Sequence, residues 1–337
     1  MIDDQIQDGV LAAIDERRNA RRRFLRYAGS AAAVAGGAAL LSACGEDDDS
    51  TATPAPTPTP STGVNDIDVL NFALNLEYLE AQYYSWACFG RGLDAALTTG
   101  VGTPGAVTGG ALVPFQDTLV GQYAREIAFD EIAHVTFLRN TLGSAAVAMP
   151  AINIDGGATG AFSLAARAAG LVDASTGVFN PYADDNSFLL GAFIFEDVGV
   201  SAYKGAAPLI TNKTYLEAAA GILATEAYHA GLIRTILYRK GIDTPSIAVN
   251  AGKISDARDS LDGTVTAGSV IGDIDQGILG ATAGESNIVP ADSNAIAFSR
   301  TTGQVLNIAY LSKAAVASGG FFPAGVAGNI RTSSANA

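Results

Sequence analysis

The chain carries only two histidines in 337 residues, and the two stand in matched settings. One lies in DEIAHVTFLR, residues 130–139, and the other in TEAYHAGLIR, residues 225–234. Each has a glutamate three places before it and an arginine five places after it. Apolar residues around them recur at helical spacing and predict two helices, from about Pro114 to Leu142 and from about Lys213 to Lys240. The first has the inner stripe Leu119, Tyr123, Ile127, Glu131, His134 and Leu138; the second has Leu216, Ala219, Leu223, Glu226, His229, Ile233 and Leu237. A Glu and a His three residues apart share one helical face, and here that face is the apolar one. Burying such groups without compensation costs several kcal/mol each, so the pattern admits only folds that supply the compensation.

Two more helices carry the same signature. NDIDVLNFALNLEYLEAQYYSWACFG, residues 65–90, places Ile67, Leu70, Leu74, Glu77, Tyr84 and Cys88 on one face, with Gly90 as its stop. A helix from about Asn186 to Ala207 aligns Leu189, Ala192, Glu196, Gly199 and Tyr203. Both contain a glutamate followed seven places later by a tyrosine, so helices one-two and three-four read as two copies of one unit. Four inward carboxylates and two imidazoles form a ligand set for two divalent cations, which would neutralise the carboxylates while neutral imidazoles complete the shell. The candidate ligands are Glu77, Glu131, His134, Glu196, Glu226 and His229. Glu80, three residues past Glu77, is an alternative or additional ligand; by the repeat it matches Gly199. Tyr84 and Tyr203 are expected to hydrogen-bond ligand carboxylates or to tune the metals electronically. Asp130 is expected to accept a hydrogen bond from a ligand histidine on the partner helix. Arg139 and Arg234 are expected to pair with buried carboxylates. Mixed carboxylate and imidazole ligands suit iron or manganese.

Acidic residues outnumber basic ones by 34 to 20. Residues 1–43 hold six arginines against five acids, so the acid excess lies in the remainder. That balance argues against nucleic acid or an anionic membrane surface as an electrostatic partner. Two cysteines, Cys44 and Cys88, make no disulfide framework; Cys88 reads as a small buried apolar residue. Residues 1–43 read as an export signal: Arg21 and Arg22 precede Phe24-Leu25-Arg26, resembling the twin-arginine motif, and an apolar run from Ala28 to Ala43 follows. That run is shorter than the roughly 20 residues a spanning helix needs. It ends in LSAC, which resembles a lipoprotein cleavage box, so Cys44 is the expected lipid-bearing residue and the membrane anchor. Residues 44–63, rich in Thr, Ala and Pro, read as a disordered linker. The expected location is the periplasm or cell envelope. The twin-arginine route exports folded proteins, which suits a cofactor loaded in the cytoplasm.

The glutamate-histidine constellation resembles the ferritin-like superfamily, in which two bundle helices each supply a Glu and two supply Glu-x-x-His. More narrowly, NFALNLEYLEAQYY, DEIAHVTFLR, FEDVGVSAYKGAAPLI, TEAYHAGLIR, NIVPADSNAIAFSRTTGQVLNIAY and GGFFPAG resemble exported ferritin-like proteins related to the desiccation-related proteins of plants, over about residues 64–330. The resemblance implies an all-α fold: a four-helix bundle over 64–241 with a long crossover between helices two and three, near residues 143–185. About 20 residues join helices one and two. Residues 242–337 read as a loop-rich C-terminal extension, with helices expected around Ser255–Leu261 and Thr302–Ala315 and an apolar GGFFPAG turn packing on the bundle or on a second copy in a homo-oligomer.

Three functions compete. The first is a two-metal oxidoreductase, iron or manganese, acting on peroxide or oxygen: catalase- or peroxidase-like, or ferroxidase-like. The second is a non-catalytic stress protein with a structural or relic metal site. The third is metal storage, which the tether and extension disfavour because storage cages need uncluttered surfaces.

Overall fold

The computed structural model describes residues 63–263 and 274–336. The export signal, Cys44 and nearly all of the linker expected above lie outside the described residues. Those described belong to one unit, Pro60–Ala337.

Four long helices form the frame. α1 spans Asp66–Phe89 and opens on a capping box, in which Asn65 and Asp68 each bond the other's backbone N–H. It closes at Gly90, whose φ of 64° is the left-handed conformation glycine accepts without strain. α2 spans Thr118–Leu142, starting later than Pro114 because the Asp117 side chain caps it, accepting from the N–H groups of Leu119 and Val120. Leu119 is 48% exposed, against expectation, while Val120 is 1% exposed. Steps of four drift about 40° per step around a helix of 3.6 residues per turn, so a stripe counted back from Glu131 in fours leaves the core face by residue 119.

A short 3-10 turn, a short strand and a short helix follow α2. β2, Ile152–Ile154, pairs in parallel with β1, Val107–Gly109, from the α1–α2 connection. α3 spans Ala161–Ala168. The α1–α2 connection occupies residues 90–117, longer than the 20 or so expected. α4, Asp185–Ala206, and α5, Lys213–Asp243, complete the bundle; α5 runs through Gly241, the expected stop. α1 packs along α2, α4 along α5, and the two pairs close on each other. No helix among the described residues is long and apolar enough to cross a membrane.

α6, Pro245–Asp262, begins well before the expected Ser255, with Pro245 in the first turn where its missing N–H costs nothing. α7, Thr302–Tyr310, stops short of Ala315 because Leu311 turns left-handed, φ 53°. This C-terminal part is built into the bundle. Asn75 of α1 exchanges two hydrogen bonds with the backbone of Ala327 (2.8 and 2.9 Å). Phe321 packs edge-on against Phe162 and Phe195, with centroids 5.2 and 5.0 Å away. Arg300 crosses α4 so closely at Gly205 that any Cβ there would overlap the Arg300 carbonyl.

A buried chain of alternating charges ties the extension to α4 and α5: Arg234–Asp197 (2.7 Å), Asp197–Arg258 (2.8 Å), Arg258–Asp275 (2.7 Å), then Asp275–Arg300 and Arg300–Asp262 (2.7 Å). Arg234 thus meets a buried carboxylate as expected. Arg139 does not: it donates to the Tyr78 hydroxyl at 2.6 Å and to the carbonyls of Ala96 and Thr99, and so holds the loop after α1.

Candidate metal centre

The stripes of α1, α2, α4 and α5 meet at mid-bundle, where Glu77, Glu131, Glu196 and Glu226 are each at most 1% exposed. Ligand atoms of Glu77, Glu131, His134 and Glu226 lie within 4.8 Å of one another, and so do those of Glu131, Glu196 and His229. All six candidate ligands are therefore together, with Glu131 common to both groups. His134 Nδ1 is 3.1 Å from Glu77 and 3.5 Å from both Glu131 and Glu226. His229 Nδ1 is 3.0 Å from Glu131 and 3.6 Å from Glu196. The two imidazoles face each other with centroids 6.2 Å apart.

Crossed hydrogen bonds reproduce the internal repeat in space. The Tyr84 hydroxyl on α1 donates to Glu196 on α4, and the Tyr203 hydroxyl on α4 donates to Glu77 on α1. Burial pushes both phenols well above their ordinary pKa, so they remain donors. Asp130 lies 3.3 Å from His229 Nε2, the contact expected for it. The repeat breaks here: Thr225 holds the matching place before Glu226, and its hydroxyl bonds the Gly221 carbonyl.

Glu80 is buried but lies outside both converging groups. Burial, with Glu226 and Glu131 nearby, pushes its carboxyl well above the usual range. Its counterpart in the repeat is Gly199, where a Cβ would overlap Glu226 Oε2 and lie 3.5 Å from Glu80 Oε1. Gly199 is thus the relief that admits the Glu226 carboxylate. The repeat comparison exposed this glycine; its role needed the facing helix.

The electrostatics describe a site short of positive charge. Burial raises Glu77 to about 8 and raises Glu196 and Glu226. Burial disfavours charged imidazoles, yet Glu77 and Glu131 around His134, and Asp130 and Glu131 around His229, outweigh it; His229 is raised to about 11. Both oxygens of Glu131 and of Glu226, Glu196 Oε2 and His229 Nδ1 are buried without a hydrogen-bond partner. Buried polar atoms are nearly always satisfied. Orphaned carboxylate oxygens converging with imidazole nitrogens are the donor set that a divalent cation takes. The residues fit such a cation. Cys88, buried on the same helix as Glu77, is an unpaired thiol raised to about 12 by burial, as its apolar setting led one to expect.

Comparison with known proteins agrees with this architecture. The family model described as a ferritin-like domain matches residues 65–239. The desiccation-related protein PCC13-62 of Craterostigma plantagineum is 31% identical over 252 residues, 70% of this chain and 75% of that protein. The ferritin-like catalase Nec2 of Nesocodon mauritianus is 30% identical over 282 residues, 79% of this chain and 84% of its own length. No solved structure matches. With its bundle, its paired glutamate-histidine helices and these relatives, the chain belongs to the ferritin-like domain family.

Proposed function

We propose that the protein is an exported two-metal oxidoreductase, holding iron or manganese, that consumes peroxide or oxygen in stress protection. The observation that carries this reading is the set of buried, unsatisfied carboxylate and imidazole atoms. In it Glu77, Glu131, His134 and Glu226 would hold one ion, and Glu131, Glu196 and His229 the other, with Glu131 shared. The metal pair, when bound, supplies the two-electron change that peroxide chemistry requires. The protein's own residues do the rest. Tyr84 and Tyr203 hold Glu196 and Glu77 in place, Asp130 fixes the ring of His229, and the surrounding leucines and phenylalanines exclude bulk water. A relative named as a catalase supports peroxide as substrate.

A second reading rests on the relative named as desiccation-related: a non-catalytic protective protein of the cell envelope, with a structural or relic metal site. Elemental analysis of the mature protein, with oxygen evolution from added peroxide, separates the two. About two iron or manganese ions per chain, lost in Glu131→Ala/Glu226→Ala together with peroxide consumption, is the expected result. A folded native protein without metal leaves the second reading in possession. We also propose twin-arginine export and lipid attachment at Cys44, which predict a mature chain beginning with a lipid-modified Cys44 and export abolished by Arg21→Lys/Arg22→Lys.

A further inference from the structure

The bundle interior is packed shut on one side of the centre and hollow on the other. On the hollow side a cavity of about 220 Å³ lies between α2 and α5. Its floor is one layer from the ligands: Leu138 four residues after His134, Ile222 four before Glu226, and Tyr203 seven after Glu196, each at most 7% exposed. Its rim, with Thr141 and Ala218, reaches the exposed Glu217. Tyr203 belongs to both places, because its hydroxyl holds Glu77.

The internal repeat gives each floor residue a counterpart on the other side of the centre. On the shut side Ile233, Ile127 and Tyr84 match the floor residues and are at most 2% exposed. One turn further out the repeat puts the small Ala218 at the cavity wall where the other side carries Tyr123, while Phe137 and Tyr215 also line the cavity. Phe188 fills the shut side, packing against Tyr84 at 5.7 Å and Phe115 at 5.1 Å.

Size and chemistry narrow the occupant. A dry cavity of about 150 Å³ admits benzene, whereas one water takes about 30 Å³. Peroxide or dioxygen needs far less room than this cavity offers. The floor is hydrocarbon apart from Tyr203, whose hydrogen is committed to Glu77, leaving its oxygen as an acceptor. The Glu217 carboxylate at the rim and a net charge of −14 disfavour anions. We propose that this cavity binds a small neutral phenol of one ring, the organic reductant of the centre. A dihydroxybenzene bound there would lose its two hydroxyl hydrogens as two electrons and two protons and leave as the quinone. Hydrogen peroxide takes both, its O–O bond breaking as two waters form.

The redox consequence rests on the metal reading above; binding does not, and the test keeps them apart. Hydroquinone is titrated by calorimetry into the full-length protein, as purified and after chelation, with metal content measured on the same samples. Saturable binding of one molecule per chain is expected in both forms. Ala218→Tyr, which restores the residue of the shut side, should weaken it at least tenfold with metal content unchanged. The milder Ala218→Leu serves if the tyrosine variant melts early. Binding by a protein that already holds no metal as purified sustains the cavity and sinks the redox role. No saturable binding to metal-loaded protein, or equal binding by a folded Ala218 variant, overturns the cavity assignment while leaving the metal centre standing.

Discussion

Gly199 is the residue on which the centre turns. Alanine is a better helix former than glycine by about 1 kcal/mol, so Gly199→Ala should leave α4 at least as stable. Its methyl group would nevertheless displace the Glu226 carboxylate, which sits where the Cβ would go. Elemental analysis should show metal loss in a protein that melts no earlier than the chelator-stripped parent. Full metal content would show that Glu226 is not needed as a ligand. Asp130 offers a complementary test. Its side chain is 41% exposed, so Asp130→Asn should barely change stability. Loss of the charged partner of His229 should weaken metal affinity about ten- to hundredfold, the usual cost of removing such a group. A competitive chelator titration reads this directly.

At the scale of elements, α4 and α5 are locked by the charge chain that begins at Asp197, immediately after Glu196. Asp197 receives both Arg234 and Arg258, and each guanidinium also lies over the Phe193 ring, at 5.4 and 4.6 Å. Asp197→Ala would leave two buried guanidiniums facing each other. A loss of about 3–5 kcal/mol is expected, the range found when one partner of a buried pair is removed. Urea unfolding measures it, and a loss within the error of the method would show the chain of charges to be incidental. The periodicity of the stripes shows which helices exist and which faces they bury, from Glu77 to His229. It does not show Arg139 holding carbonyls of a loop, because a loop's path has no period to read. Leu119 failed for a related reason: near a helix end, the accumulated phase decides the face.

For the whole molecule, the proposed metal centre makes protons and metal competitors for one cluster. Glu77, raised from 4.5 to about 8, keeps its proton in the folded state over a range where the unfolded chain has lost it. Glu80, Glu196 and Glu226 shift the same way, as do His134 and His229, the latter from 6.5 to about 11. Wherever the folded state binds more protons, stability falls as pH rises. Glu131, which is lowered, acts in the opposite sense, but its window lies below 4.5. The chelator-stripped protein should therefore be most stable near pH 5 and melt progressively lower through pH 8 and above. Metal loading should flatten the profile, because cations replace the protons. Melting curves at three pH values, with and without chelator, decide it; a flat profile for the stripped protein would contradict the electrostatics described.

Helical period and the buried cost of charge were enough, from the sequence alone, to mark four helices, six convergent candidate ligands and their two-fold repeat, because a carboxylate in an apolar stripe has few places to go. Which oxygen each tyrosine would hold, and why Gly199 must be small, were decided by facing helices, whose distances no linear spacing contains. The same is true of the C-terminal part. Its Gly- and Ser-rich chain reads as an appendage, yet Asn75 grips its backbone and Arg300 crosses α4 at Gly205. Those contacts join residues some 95 to 250 positions apart. Only the closed structure brings them together, and only there do Leu138, Tyr203, Ala218 and Ile222 come to line a cavity beside the centre.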